Sequence, residues 1–330
     1  MAYTTIDNPE LYFQVKTWTG TGSSNALTLD GDENMQPDYV MIKQRSSTQQ
    51  WNGYDSVRGV QKYLGWNTNI AENTQAQGLT AFGSDGFTVG TDDMVNKSSE
   101  TYVAFCWKES ATAGFDIVSY TGNGSNRTLS HGLSQKPDMI IIKRRNTTGN
   151  WTVYHSTLTV SKYIYLHLTN AADTGGASSY WQTSEPTSSV VSLGTDGDVN
   201  GSSDTYISYF FCNKQGYSKF GSYTGNGNAD GTFIHLGFRP AFLMIKKSSA
   251  TDPWVIFDNK RAPYNYFDKL IYPDSNEAES GAAERGDFVS NGVKFRSNHT
   301  YFNGSGITYI YMAFAEAPFV NSNGVPANAR

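Results

Sequence analysis

The stretch that decides the fold is Pro137-Asp138-Met139-Ile140-Ile141-Ile142-Lys143-Arg144-Arg145, and Trp151-Thr152-Val153-Tyr154-His155 follows it after a short polar loop. Every position from Met139 to Ile142 is apolar, whereas a half-buried strand would alternate polar and apolar residues. A short run rich in β-branched residues therefore predicts a strand covered on both faces, as in the middle of a sandwich. The short loop predicts that the Trp151 strand is its hairpin partner.

The same construction occurs twice more: residues 37–43 lead to Trp51, and residues 240–246 lead to Trp254. The three prolines that open it are spaced by 100 and then 103 residues. A fixed period of this size predicts tandem copies of one unit of ~100 residues, which is the size of a small domain. We define module 1 as residues 1–112, including an N-terminal arm, module 2 as residues 113–215, and module 3 as residues 216–330, including an extended tail. The arm is expected to be disordered or to dock on a partner.

Each module also opens and closes in the same way. It opens with an aromatic strand and a Gly-rich turn such as Thr121-Gly122-Asn123-Gly124, because Asn and Gly tolerate the positive φ of tight hairpin turns. It closes with a strand that has one apolar face, at residues 101–107, 205–211 and 308–314. No window has sustained helical spacing. The predicted fold class is all-β, with three tandem β-sandwich or jelly-roll-like modules.

Composition and charge argue against several partners. Charged residues make up 17% of the chain and the net charge is −5, so a nucleic acid is not the expected partner, since counterion release needs a concentrated basic surface. No apolar run approaches the ~20 residues of a membrane span, and residues 1–7 lack the pattern of a signal peptide. We expect Cys106 and Cys212 to be buried thiols. The many Asn-x-Ser/Thr triplets are interpreted as by-products of composition.

The chemistry-bearing residues do not form a catalytic or metal-binding pattern. His155 is replaced by Asp55 and Asp258 at the equivalent positions, which argues against a role as a metal ligand. Residues 30–34 resemble the start of a calcium loop, but Met35 stands where an EF-hand needs glycine. We therefore predict no enzyme activity, no cofactor and no metal ion. Glycosidase carboxylates can come from anywhere in a fold, so a depolymerase stays open as an alternative.

The middle segments of the modules, residues 59–79, 158–184 and 260–281, differ in length and charge and are predicted to be variable loops. Their aromatic side chains could stack on a sugar, with Asn, Asp and Thr side chains supplying hydrogen bonds. The candidate ligand-binding residues are Trp66, Tyr180, Trp181, Tyr264 and Tyr266. Local packing beneath long loops is the alternative role for all five.

The repeated frame resembles an uncharacterised repeat domain of tailed-phage virion proteins, found in phages of marine and freshwater bacteria. The residues that carry the resemblance are 12–14, 55–60, 120–124, 131–133, 137–143, 151–155, 216–223 and 315–326. The resemblance implies a virion protein assembled in the host cytoplasm. It also implies a tail fibre or receptor-binding protein, often lectin-like, that contacts other virion proteins and host surface polysaccharide. A homotrimer is the usual state of fibres, and the alternative is that one chain with three internal copies acts as a pseudo-trimer. It carries over no catalytic residues. The chain has no heptads and no collagen-like shaft, so a capsid decoration or baseplate protein without ligand binding is the alternative.

Overall fold

The computed structural model describes residues 2–281 and 283–328, with 40% of residues in strands and 6% in helices. This confirms the all-β fold class. The elements of module 1 are β1 (Phe13–Thr19), β2 (Asn25–Leu27), β3 (Tyr39–Gln44), β4 (Asn52–Asp55), β5 (Lys62–Tyr63), β6 (Asn73–Thr74), β7 (Leu79–Gly83), β8 (Gly86–Val89), α1 (Asp93–Asn96) and β9 (Thr101–Trp107), after a short 3-10 turn at Pro9–Leu11.

Modules 2 and 3 follow with the same kinds of element. Module 2 contains β10 (Phe115–Thr121), β11 (Arg127–Ser130), β12 (Met139–Arg144), β13 (Trp151–His155), β14 (Ile164–Tyr165), α2 (Ala177–Trp181), β15 (Val190–Leu193), α3 (Gly197–Asn200) and β16 (Thr205–Phe211). Module 3 contains β17 (Ser218–Thr224), β18 (Phe233–His235), β19 (Phe238–Lys247), β20 (Val255–Asp258), β21 (Gly286–Val289), β22 (Gly292–Phe295), α4 (Thr300–Asn303) and β23 (Thr308–Pro318).

One strand order describes the large sheet of every module. The sheets run β1-β9-β3-β4, β10-β16-β12-β13-β14 and β17-β23-β19-β20, and their paired strands are antiparallel. The apolar strand β12 lies between β16 and β13, where Ile141 pairs with Tyr209 and with Val153. Its residues from Met139 to Ile142 are buried, and the predicted hairpin with the Trp151 strand is confirmed. Origin by triplication stays a prediction.

A smaller sheet covers the outer face of each large sheet. These sheets are β2-β8-β7, β11-β15 and β18-β22-β21. In module 2 the short helix α2 takes the place along the chain that β7 and β21 hold in the other modules. Each outer layer encloses an apolar cluster of its own, so each module has the two-layer form of a sandwich.

The inner faces of the three large sheets share one core. A single cluster of buried apolar residues draws members from every module. Trp107, Phe211 and Phe314, which hold equivalent positions in the closing strands, meet at its centre. Their ring centroids lie 6.4 Å (Trp107–Phe211), 5.8 Å (Trp107–Phe314) and 6.1 Å (Phe211–Phe314) apart. Three nearly equal separations place these rings around a pseudo-threefold axis, with one sheet on each side.

The two ends of the sheets carry different parts of the chain. At one end, which we call the hairpin end, lie the loops between β3 and β4, β12 and β13, and β19 and β20. At the other, the terminal end, lie the linkers between modules, the N-terminal arm from residue 2 and the C-terminal tail as far as residue 328. The N-terminal arm docks there on module 3 of its own chain: Tyr3 Oη donates to Gly237 O at 2.8 Å, and Ser322 N donates to Asp7 Oδ1 at 2.6 Å.

Two kinds of hydrogen bond repeat at all three interfaces between modules, which we call interface 1–2, interface 2–3 and interface 3–1. The tryptophan at or just before the start of each hairpin strand donates its indole N–H to a backbone carbonyl of the neighbouring module: Trp151 to Gly65 at 2.9 Å, Trp254 to Tyr165 at 3.0 Å and Trp51 to Tyr272 at 2.8 Å. A buried lysine does the same: Lys143 to Asn69 at 3.3 Å, Lys246 to Thr169 at 3.1 Å and Lys43 to Asn276 at 3.3 Å. The tryptophans that mark the period therefore join the modules.

Two further expectations can be compared with the structure. Cys106 and Cys212 are buried free thiols, as predicted, and burial raises the pKa of Cys212 to about 11. Among residues 2–281 and 283–328, no helix has the length and apolar character needed to cross a membrane.

Candidate functional site

Two of the five candidate residues belong to the apolar cores. Trp66 is 2% exposed in the shared core, where its Nε1 donates to Tyr39 Oη at 2.7 Å. Trp181 is 0% exposed in the outer cluster of module 2, with its ring 5.8 Å from that of Tyr154. Neither ring offers a face to a ligand, so burial corrects the expectation for both: they are packing residues.

Tyr180 is also buried, but it holds other tyrosines in place. Its ring stacks on Tyr163 with centroids 4.2 Å apart, and its hydroxyl is 2.8 Å from that of Tyr165. Tyr180 is therefore corrected from a ligand-stacking residue to one that supports two aromatic neighbours.

Tyr264 and Tyr266 are exposed, at 82% and 47%. They flank Asn265, whose amide accepts from the backbone N–H of Phe288 at 3.1 Å and donates to its carbonyl at 3.0 Å. Both tyrosines are exposed to solvent, and their role in ligand binding stays a prediction. The structure does not bring them to the walls of the cavity described next.

A cavity of about 380 Å³ lies at interface 2–3, at the hairpin end of the molecule. Module 2 contributes one side of it and module 3 the rest. Its walls include Thr169, Pro253, Tyr272, Asp274, Glu277 and Tyr301.

Two tyrosine rings form the aromatic part of the cavity. Tyr272 and Tyr301 have ring centroids 6.2 Å apart and planes at 75°, so their faces are nearly perpendicular. His299 fixes Tyr301 from its other side, because its ring centroid lies 4.5 Å away and its Nδ1 accepts the backbone N–H of Tyr301 at 3.3 Å. Two differently oriented faces can contact two sides of one small ring.

Asp274 supplies the polar group held most firmly in the cavity. Its Oδ2 accepts the backbone N–H of Trp254 at 3.3 Å, whereas Oδ1 is buried without a hydrogen-bond partner among the described residues. Burial raises the pKa of Asp274 to about 7, so the neutral and ionised carboxyl groups coexist near neutral pH. The carboxyl group of Asp274, which lines the cavity, can therefore donate or accept a hydrogen bond. Glu277 is exposed on the wall of the cavity.

The cavity depends on substitutions that distinguish module 3 from module 2. In module 2 the residue before the interface tryptophan is Asn150, and it closes the equivalent space by binding Asp198 through its backbone N–H at 2.8 Å and its side-chain amide at 2.7 Å. Module 3 has Pro253 and Tyr301 at these positions. Proline has no N–H to donate, and tyrosine presents a ring where module 2 has a carboxylate. The space in module 3 consequently stays open and aromatic.

The arrangement is suited to binding a small polar ring. Aromatic faces, a half-buried carboxyl group and hydroxyls surround a concave space in the size range of small-ligand sites. No group of three His, Cys, Asp or Glu residues within the described part of the chain is placed to hold a metal ion. Reasoning from sequence missed Tyr272, Asp274 and Tyr301. An available signal was the position two residues before the Asn that ends each short helix, which is Met94, Asp198 and Tyr301 in turn.

The sequence was also compared with known proteins. A family profile described as a domain of unknown function, DUF7483, matches residues 8–318. The chain belongs to the DUF7483 family. The DUF7483 match includes the large sheets of all three modules and both walls of the cavity. No curated protein and no solved structure matches the chain.

Proposed function

We propose that the protein binds carbohydrate as part of a tailed-phage virion, most specifically as a tail-fibre or receptor-binding protein that contacts host surface glycans. The observation that carries this proposal is the cavity at interface 2–3, in which Tyr272, Tyr301 and Asp274 converge. The proposal concerns binding without hydrolysis.

The chemistry of a sugar ring fits this cavity. One face of a pyranose is lined by C–H groups and packs on aromatic rings, while its hydroxyls need donors and acceptors. The perpendicular rings of Tyr272 and Tyr301 supply the apolar faces, and the carboxyl group of Asp274 on the cavity wall supplies a hydrogen-bonding group.

Hydrolysis would need a second carboxyl group held across the scissile bond. Paired glycosidase carboxyls stand at defined separations, about 5–5.5 Å in retaining and about 6.5–9.5 Å in inverting enzymes. Asp274 is fixed by the backbone of Trp254, but Glu277 is exposed. This contrast supports a binding role.

The distribution of parts along the molecule supports attachment at one end. The N-terminal arm, the C-terminal tail and the intermodule linkers lie at the terminal end, whereas the cavity lies at the hairpin end. A protein fixed to other virion proteins through its terminal end would present the cavity outward. The homotrimer implied by the resemblance stays a prediction, which light scattering of the purified protein would test.

The test is binding of the purified chain to an array of oligosaccharides and purified bacterial surface polysaccharides, followed by calorimetry with the bound glycan. Tyr301→Ala should weaken binding tenfold or more, since a loss of about 1.4 kcal/mol is a factor of ten. The matched control is Met94→Ala, which changes the equivalent position of module 1 and should leave affinity unchanged.

A third variant separates this cavity from the exposed loop of module 3. If Tyr264→Ala abolishes binding while Tyr301→Ala does not, glycan binds at the loop and the assignment to interface 2–3 is wrong. Absence of binding to every glycan would contradict the proposed function and favour a capsid decoration or baseplate role without a ligand.

A further inference from the structure

A second cavity, of about 310 Å³, lies beside the first at interface 2–3. The two are separated by a narrow wall in which the backbone N–H of Asp252 donates to Thr169 O at 2.9 Å. Thr169 and Pro253 line the first cavity, while their neighbours Asn170 and Thr251 line the second. A chain-like ligand that fills one cavity can therefore reach the other by crossing this wall.

The second cavity exists because interface 2–3 has small side chains where the other interfaces have an ion pair. At interface 1–2, Arg145 Nε lies 2.9 Å from Glu72 Oε2, and at interface 3–1, Arg45 Nε lies 2.9 Å from Glu279 Oε2. The equivalent residues at interface 2–3 are Ala172 and Ser248. Their backbones still meet, with Ala172 N donating to Ser248 O at 3.0 Å, but no long side chain fills the space beside them.

The walls of the second cavity include aromatic side chains that pack against a buried tyrosine. Tyr163 and Tyr165 line it, together with Asn170, Ala172, Asp173 and Thr251. The buried Tyr180 of α2 stacks on Tyr163 and lies within hydrogen-bond distance of the Tyr165 hydroxyl. The side chain of Tyr163 also donates to Asp173 Oδ2 at 3.4 Å. Tyrosine faces thus occur on both sides of the wall.

We propose that the two cavities form one extended binding groove for an uncharged oligosaccharide, with sugar units in both cavities and the chain crossing the wall at Thr169. This inference rests on the proposed function and specifies its ligand. The residues lining the cavities include the carboxyl groups of Asp173, Asp274 and Glu277 and no lysine or arginine. The carboxylates of Asp173 and Glu277 present like charge to a uronic-acid or sulfated chain, whereas the ammonium of Lys246 at the wall is bound to the carbonyls of Thr169 and Lys247. An acidic chain therefore loses binding free energy relative to a neutral one.

The experiment compares ligand length and charge. The neutral probes are maltose-, cellulose- and chitin-derived oligosaccharides of two to six units. The acidic probes are alginate- and pectin-derived oligosaccharides of the same lengths. Affinity for a bound neutral series should rise tenfold or more from two to four units and then level off. Asn170→Ala, an exposed change that should not disturb folding, and Tyr163→Ala should reduce this length dependence, while the affinity for the disaccharide stays as in the unmodified protein.

The outcomes distinguish failure of the extended groove from failure of carbohydrate binding itself. Tighter binding of the acidic series, or an affinity independent of length, overturns the extended neutral groove but leaves carbohydrate binding intact. The same holds if the array shows glycan binding and neither probe series binds. Loss of all binding in Asn170→Ala, the disaccharide included, would place the whole ligand in the second cavity and overturn the two-cavity arrangement.

Discussion

Interface 1–2 and interface 2–3 share the same tryptophan and lysine contacts to backbone carbonyls but differ in the other side chains that meet there. In both, an indole N–H and a buried lysine from one module reach carbonyls of its neighbour. At interface 1–2 a connected group of charges accompanies these contacts, whereas at interface 2–3 the equivalent charges are missing and the second cavity lies beside Ala172. The comparison shows which part of an interface holds the modules together and which part is free to change.

The charged group at interface 1–2 consists of Asp55, Arg58, Glu72 and Arg145. The side chains of Asp55 and Arg58 are fully buried and paired, and Arg58 Nη1 also lies 3.3 Å from Glu72 Oε2. Glu72 in turn binds Arg145. Module 2 contributes one more contact, because Tyr209 Oη donates to Asp55 Oδ2 at 2.7 Å.

All four charged positions differ at interface 2–3. The equivalent residues are His155, Leu158, Ala172 and Ser248. His155 Nε2 lies 3.2 Å from Tyr311 O, and burial lowers its pKa to about 4, so the imidazole is neutral at physiological pH. The complete replacement leaves none of the original charges behind. This matters because a buried charge that has lost its partner destabilises a fold far more than the absence of the whole pair.

The largest change in stability is expected when one member of the buried ion pair at interface 1–2 is removed. Arg58→Leu introduces the residue found at the equivalent position of module 2 and leaves the buried carboxylate of Asp55 without its cation. The free energy of unfolding should fall by about 3–5 kcal/mol, as for other buried pairs that lose one member. Urea unfolding followed by tryptophan fluorescence measures the change.

The control transfers the whole group instead of one member. A variant with Asp55→His, Arg58→Leu, Glu72→Ala and Arg145→Ser carries the residues of interface 2–3 at interface 1–2. It should recover most of the stability lost in Arg58→Leu, because no unpaired buried charge remains. If it is less stable than the single variant, the four residues do not act as a replaceable group and the comparison between the interfaces fails.

The sequence could predict the parts of the fold that depend on local pattern. Continuous apolar runs identified the central strands, short polar loops identified the hairpins, and the fold class followed. The sequence could also predict that the periodic tryptophans are buried. It could not predict their neighbours, because an apolar residue at a fixed period indicates that a ring is buried but not which module covers it.

The candidate site was harder to predict because its walls come from distant segments. Thr169 and Tyr301 are far apart in sequence, and the insertion in the middle segment of module 3 hides the equivalence of Asp274 with Asn67 and His167. Aromatic content in variable loops selected Trp66 and Trp181, but large rings in such loops often pack inward, as both do here.

One structural feature, an asparagine that recurs at the same place in each module, was visible in the sequence but was interpreted as a by-product of the Asn, Ser and Thr content. Asn96, Asn200 and Asn303 end the short helices of the three modules and are fully buried. Each donates its amide to a nearby carbonyl at 2.8 Å, that of Gly90, Gly194 and Ser297 respectively. Their recurrence at one place in each module was the informative feature, and the Asn-x-Ser/Thr triplet around them was incidental.

A smaller change in stability, which depends on pH, should come from the buried lysine that each of the two interfaces contains. Burial lowers the pKa of Lys143, at interface 1–2, to about 7 and that of Lys246, at interface 2–3, to about 8. The pKa in the unfolded chain is near 10.4, so above the folded pKa the unfolded state binds more protons and stability rises with pH. The increase is at most about 1.4 kcal/mol per pH unit for each lysine.

Urea unfolding between pH 7 and pH 9.5 should show this slope. Lys143→Met should reduce the rise of the free energy of unfolding with pH from pH 7 upward. Lys246→Met should reduce this rise only above pH 8. An unchanged slope in both variants would mean that the lysines are charged in the folded state and that their carbonyl partners offset burial.

The smallest change in stability should come from giving interface 2–3 the ion pair that it lacks. Ala172→Glu combined with Ser248→Arg places the pair of interface 1–2 at the equivalent positions, and partly exposed pairs of this kind contribute less than about 1 kcal/mol. Binding should respond more strongly, because the new side chains occupy the second cavity and the length dependence of oligosaccharide affinity should be lost. Ala172→Ser with Ser248→Thr, which adds little volume, is the matched control for calorimetry. If the Glu–Arg variant binds long oligosaccharides as well as the control does, the space beside Ala172 is unrelated to the ligand, and the missing salt bridge at interface 2–3 has no functional meaning.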